Sequence, residues 1–306
     1  MRAAFSQALV AAAQRDPRVL LLTGDHGYAL FDDFRKHCPD RYINAGIAEQ
    51  NMVGVAAGLA KAGFKPVVYG LSAFVPVRVL EQIKIDVCYQ ELPVIFIGDG
   101  AGLVYSTLGT SHQSFEDIAC LRAVPHIDIL SPCDPAETTA CMEAAFELAR
   151  PVYLRMGKAD LGTIHESRPD IARGGLVKAR DGDSPVAFIA TGSMVKTACL
   201  LAAEIGAAVW SAPWVKPLNA AVLREAVDGA LAIVTFEEHS AAAGLGSAVV
   251  EALAEEHPMP VLRIGIGDRF SATCGSHAHA MREHGLDLDT VRERALPFVQ
   301  RWAHRP

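Results

Sequence analysis

Short apolar runs alternate with stretches of helical period along most of the chain. Continuous apolar runs at 19–23, 41–44, 66–69, 94–97, 127–130 and 152–155 predict strands, and the stretches 47–61, 74–89 and 135–148 predict helices between them. Asp134 offers an N-cap and Pro135 a first-turn residue for the third of these helices. Residues 1–16 read as an amphipathic helix rather than a signal peptide, because they lack a strong apolar core. The stretch 157–184 is polar and carries Gly and Pro. After it the alternation resumes, with strands at 186–190, 208–211, 232–236 and 261–264 and helices near 195–205, 220–227 and 247–256. Strands that are apolar throughout belong to parallel sheets covered on both faces. The pattern predicts an α/β protein of two doubly wound domains, 1–164 and 185–306, joined by a linker at 165–184.

Composition agrees with that count. The 306 residues exceed the size at which one core usually stops growing, and 51% of them are hydrophobic, which excludes global disorder. A net charge of −7 without a basic stripe argues against nucleic acid as a partner. No apolar run is long enough to span a membrane. The seven cysteines form no C-x-x-C pair, so free thiols in a reducing cytoplasm are expected and the localisation reads as cytoplasmic.

Several motifs invite chemistry and fail on inspection. Gly98-Asp-Gly100-Ala-Gly102 follows a predicted strand, but Leu103 stands where a dinucleotide loop needs Gly. No G-x-S-x-G elbow exists. His277 and His279 lie near Cys274 and His284 and read as solvated loop histidines, so no metal site is assigned. The segment around Glu49 is different. Gly46, Gly54 and Gly58 recur on or near a predicted helix crowded with alanines and permit close approach of another backbone. Glu49 in the first turn complements the helix dipole. In an apolar surround the same carboxyl would suit proton donation.

Asn44-Ala-Gly-Ile-Ala-Glu49-Gln-Asn-Met-Val-Gly54 resembles the pyrimidine-binding domain of transketolase and its thiamine-diphosphate relatives. The likeness continues in order along about residues 5–295. Leu22-Thr-Gly-Asp25, Tyr69-Gly-Leu71-Ser-Ala-Phe74, the loop from Gly102 to His112-Gln113, Lys216-Pro217, Glu237-Glu-His-Ser240 and Gly244-Leu-Gly-Ser247 each resemble a family segment. The resemblance implies a pyrimidine-binding thiamine-diphosphate fold followed by a transketolase C-terminal-like domain. It implies that Glu49 hydrogen-bonds N1′ of the cofactor's pyrimidine, that Phe74 stacks on that ring with Leu71 as a second contact, and that Asp25 is a cofactor contact. His112 matches a histidine that contacts the sugar and aids proton transfer.

Full-length relatives carry a preceding domain that binds the diphosphate and a divalent metal through Gly-Asp-Gly and a later Asn. Gly98-Asp-Gly100 mimics the start, but the only asparagines are Asn44, Asn51 and Asn219. The resemblance therefore implies the C-terminal subunit of a split transketolase. A separate N-terminal subunit would carry the diphosphate and Mg2+ (or Ca2+), and a homodimer of this chain would sit within an α2β2 assembly. The expected reaction moves a two-carbon ketol unit from a ketose or ketose phosphate to an aldehyde acceptor through a thiamine-diphosphate ylide.

The substrate loop departs from the family. Gly100 stands where relatives place His or Arg, Leu108 replaces an Asp with Tyr105-Ser-Thr inserted nearby, and Lys158 replaces a phosphate-gripping Arg. Arg155 and Lys158 are expected to hold anionic substrate groups, and His26 to line an altered pocket. These changes point to a specialised sugar or sugar-phosphate substrate. Other readings are the β subunit of a 2-oxo-acid dehydrogenase, a deoxyxylulose-phosphate-synthase-like enzyme and a non-catalytic scaffold subunit.

Overall fold

The structure is a computed structural model that describes residues 1–157 and 162–303. Its strands are β1 (Val19–Thr23), β2 (Tyr42–Asn44), β3 (Lys65–Leu71), β4 (Ile95–Asp99), β5 (Asp128–Leu130), β6 (Val152–Met156), β7 (Val177–Arg180), β8 (Val186–Ala190), β9 (Val209–Ser211), β10 (Trp214–Lys216), β11 (Ala232–Ser240) and β12 (Val261–Ile266). They form a seven-stranded sheet, β10-β5-β6-β4-β3-β1-β2, and a five-stranded sheet, β12-β11-β8-β9-β7.

In the first sheet every pairing except β10–β5 is parallel. Each face carries an apolar cluster. Met52, Val53, Val68, Ile83 and Phe96 pack on one side, and Phe5, Phe31, Tyr69, Ile97 and Leu154 on the other. Because β2 and β3 flank β1 on opposite sides, the chain reverses its winding there. The carboxyl ends of β1, β2 and β3 open the crevice where doubly wound sheets bind ligands. The second sheet is built in the same way around Phe188, Val195, Phe236 and Ile264 on one face and Ile189, Ile233 and Val249 on the other.

Three local features differ from the sequence reading. The predicted helix 74–89 begins only after Pro76, as a 3-10 turn (Val77–Val79), a short α segment (Leu80–Gln82) and a π-helical run (Ile83–Cys88). Pro76 lacks an N–H and disfavours helical geometry at Val75, which delays the start. The stretch read as linker ends in β7, which pairs antiparallel with β9 and so belongs to the second sheet. Finally, β10 crosses back from the C-terminal half and pairs antiparallel with β5, so the first sheet is completed by distant residues. Among the described residues no helix is long and apolar enough to cross a membrane.

Candidate active site

Glu49 opens the helix Glu49–Lys61, whose N-cap Ala48 makes no side-chain cap. The carboxyl itself is buried. A Cβ at Gly24 would lie 3.3 Å from the Gly46 carbonyl oxygen and 3.9 Å from Glu49 Cγ, so the end of β1 passes directly against this acid. Arg78 Nη1 donates to Glu49 Oε1 at 3.2 Å. The Arg78 guanidinium also lies 3.9 Å over the Phe74 ring. Phe74 sits in the turn after β3, where its N–H and that of Val75 both donate to the Leu71 carbonyl. His112 meets the Phe74 ring edge-on at 5.4 Å, and the His26 ring lies 6.2 Å from it.

The turn after β1 is held by Asn44. Its Oδ1 accepts from the Asp25 N–H at 3.1 Å and the Gly46 N–H at 3.0 Å, and its Nδ2 donates to Asp25 Oδ1 at 3.1 Å. Asp25 adopts a left-handed φ of 62°. Thr23 Oγ1 donates to the His26 carbonyl at 2.8 Å and accepts from its N–H at 3.2 Å. His26 Nε2 is buried without a hydrogen-bond partner. Glu49, Phe74, His112, His26, Asp25 and Leu71 thus lie on or just after neighbouring strand ends of the first sheet.

Arg155 does not join them. Its side chain is buried, with Nε 2.8 Å from Asp117 Oδ2 and Nη2 donating to the carbonyls of Glu238 at 2.8 Å and Ser114 at 3.3 Å. With these partners and only 5% of its side chain exposed, Arg155 is engaged in the interior rather than presented for the substrate binding expected of it. Gly100 has φ +72, and a Cβ there would lie 1.9 Å from the Tyr105 ring. The inserted Tyr105 therefore fills the space that the missing side chain leaves. Its hydroxyl donates to Asp99 Oδ2 at 3.1 Å, beside Arg2 Nη2 at 3.0 Å. Lys158 lies outside the described residues.

Arg78 was missed because its distance from Phe74 in sequence says nothing about where its head goes. Of the histidines after 270, read as solvated, His279 is 44% exposed whereas His277 and His284 are largely covered. His277 Nε2 pairs with the buried Glu238 at 2.9 Å, His279 Nε2 meets Thr273 Oγ1 at 2.8 Å and His284 Nε2 meets Ser271 Oγ at 2.8 Å. Among the described residues the grouping with metal-ligand atoms is Cys133, Glu137 and His165. There Glu137 already accepts from the Cys133 N–H and pairs with His165 Nε2, both at 2.8 Å.

Behind the site lies a buried polar junction. Asp117 Oδ2 accepts from Tyr153 Oη at 2.7 Å, Arg155 Nε at 2.8 Å and Ser72 Oγ at 3.2 Å. Burial pushes its proton affinity up, but the charge of Arg155 and these hydrogen bonds outweigh burial and hold the carboxyl below the ordinary range. His239 Nε2 accepts from the Ala119 N–H at 3.2 Å, and its Nδ1 lies 2.8 Å from the Ser240 carbonyl oxygen. That geometry fits a neutral ring, and burial lowers its pKa to about 4.

A parallel α/β unit with an acid and an aromatic ring at its switch point, coupled to a second α/β unit, defines the class. The transketolase pyrimidine-binding domain matches residues 1–163 and the transketolase C-terminal domain matches residues 175–291, and the chain belongs to this family. It is 35% identical to one of the subunits of apulose-4-phosphate transketolase from Phocaeicola vulgatus, over 98% of this chain and 97% of that one. It is also 35% identical to the 6-deoxy-6-sulfo-D-fructose transketolase subunit SqwH of a Clostridium species, over 98% and 95%. A solved structure described as a split gene transketolase, inactive β4 tetramer, superposes with a TM-score of 0.87 at 33% identity, covering 98% of this chain and 96% of that one.

Proposed function

We propose that this chain is the C-terminal subunit of a split transketolase, a transketolase-type transferase that moves a two-carbon ketol unit from a ketose or its phosphate to an aldehyde, on a specialised substrate. The observation that carries the site assignment is the buried Glu49 carboxyl beside the Phe74 ring, where the ends of β1, β2 and β3 meet. A buried acid, an aromatic platform and the unpartnered His26 Nε2 suit a flat heteroaromatic ring with polar edges. Thiamine diphosphate, the cofactor of the family, supplies when bound a nucleophilic carbon for the ketose carbonyl. Glu49 shares a proton with N1′ of the pyrimidine. Phe74 and Leu71 hold the ring, and Asp25 contacts the cofactor. Arg78 leaves the Phe74 face for a ring to stack there, because the two cannot share it. His112 holds and moves a proton on the sugar, His26 faces the substrate, and Lys158 takes an anionic substrate group. Gly100 shapes the pocket through the Tyr105 ring it admits.

The diphosphate and its Mg2+ (or Ca2+) are assigned to an N-terminal subunit, with a homodimer of this chain at the centre of an α2β2 complex in the cytoplasm. Two observations support this. Asp99, in the Gly-Asp-Gly mimic, is already engaged by Arg2 and Tyr105. Ile47 and Tyr89 are 78% and 82% exposed on the Glu49 helix approach and the helical run that packs on it, with Ile85 half exposed beside them. The test mixes the chain with a diphosphate-domain subunit, thiamine diphosphate and Mg2+ and assays ketose–aldose exchange. Full activity of the chain alone refutes the split site.

A further inference from the structure

We infer that the C-terminal half positions the active-site loop, through Glu238 and His277 acting as a clamp on the root of the segment that carries His112. The inference rests on the reading of His112 as an active-site residue.

The loop leaves β4 and closes on itself through Gly102 and Ser114, which exchange backbone hydrogen bonds at 2.6 and 2.9 Å. Its outer anchors come from the other half of the chain. The Leu103 N–H donates to Glu238 Oε1 at 2.7 Å. The Leu103 side chain is wholly buried in the second core, among residues that include Met194, Phe236 and Ala280. Ser271 Oγ donates to Gln113 Oε1 at 2.9 Å, and the Gly275 N–H donates to the Ser106 carbonyl at 3.2 Å. Gly102 has φ +75, and a Cβ there would lie 2.5 Å from Glu238 Oε1, so the loop backbone rests against the carboxylate.

Glu238 can take that load only because its charge is satisfied. It accepts from His277 Nε2 at 2.9 Å and from Ser193 Oγ besides Leu103. A buried carboxylate that loses a donor is costly where water cannot replace it. Removing His277 therefore weakens the hold on Leu103. His112 lies edge-on to Phe74, where a small displacement removes it from productive geometry. Glu238 and His277 touch neither substrate nor cofactor in this scheme and are positioning residues.

Hydrogen–deuterium exchange of the full-length chain tests the clamp without requiring activity. In His277→Ala the peptide over 101–114 should exchange faster by about tenfold or more, with the peptide over 44–58 unchanged. His277→Gln, which keeps a donor, should retain most of the protection. Ser271→Ala loosens the Gln113 end and serves if His277→Ala does not fold. In the two-chain enzyme, His277→Ala should lower kcat by about tenfold with the KM for thiamine diphosphate unchanged. Unchanged exchange at 101–114, or equal loosening at 44–58, overturns the proposal. If the wild-type complex transfers no ketol unit, the functional reading fails and the exchange result alone decides the clamp.

Discussion

Glu49 and Asp117 are both buried carboxylates facing an arginine, and they differ in what surrounds the pair. Around Asp117 the arginine is buried as well, the pair is 2.8 Å apart, Tyr153 and Ser72 also donate to Oδ2, and two carbonyl oxygens accept from the arginine, while Oδ1 has no hydrogen-bond partner. Around Glu49 the arginine is 41% exposed, the contact is 3.2 Å and Arg78 lies across the Phe74 ring rather than in a pocket of its own. The first pair is closed to solvent, and its arginine is tied to both halves of the molecule through the Ser114 and Glu238 carbonyls. In the second the arginine is partly in solvent, and in the proposed function it gives way to a ring. What separates the two acids is whether the arginine can swing away into solvent, not whether every carboxylate oxygen is satisfied.

The largest effects should separate the two acids by kind. Glu49→Gln should reduce ketol transfer in the two-chain enzyme by roughly 10²–10⁴-fold while leaving the melting temperature of the chain unchanged. A parallel loss of stability would make Glu49 structural and end the contrast. Arg155→Met should do the reverse, lowering unfolding free energy by about 3–5 kcal/mol in urea titration, because Asp117 is left charged and unpaired. If only turnover suffers, Arg155 is a substrate ligand after all. Leu103→Ala should cost about 2–4 kcal/mol, as for a wholly buried leucine, and should loosen the loop before the sheets by hydrogen exchange.

The mildest perturbation is pH. The folded pKa of His239, about 4, is below the unfolded value of ~6.5, so the unfolded chain binds more protons between them. Stability present above ~6.5 should then fall as pH drops toward 4, by roughly 3 kcal/mol at most. His239→Gln should remove that slope. His277 runs the other way. Burial lowers its proton affinity, but the hydrogen bond and charge of Glu238 raise it further. Its contribution is complete below the unfolded pKa and is lost as pH rises through the folded one. Calorimetric scans across this range would resolve the two slopes.

Legibility followed chain-local signals. The parallel strands showed as apolar runs, and Asp134 with Pro135 announced a helix start that the structure keeps, Asp134 Oδ1 accepting from the Glu137 N–H at 2.8 Å. Glu49, Phe74 and His112 could be singled out because each lies within a short segment that resembles a family motif. Arg155 sat in such a segment too, and the resemblance misplaced it, because its head is claimed by Asp117 and by carbonyls from both halves. Neither β10 on the first sheet nor His277 on Glu238 left a local trace.

The sequence by itself determined the two α/β units, the family and the order in which acid, aromatic ring and histidine follow their strands. These depend on side-chain period and on short segments that carry their own geometry. Only the tertiary structure decided which charges are closed and which remain open. That depends on partners far apart in the chain, such as Asp117 with Arg155 and His239, or Leu103 with Glu238. Their meeting is set by how the two sheets pack rather than by any pattern along the sequence.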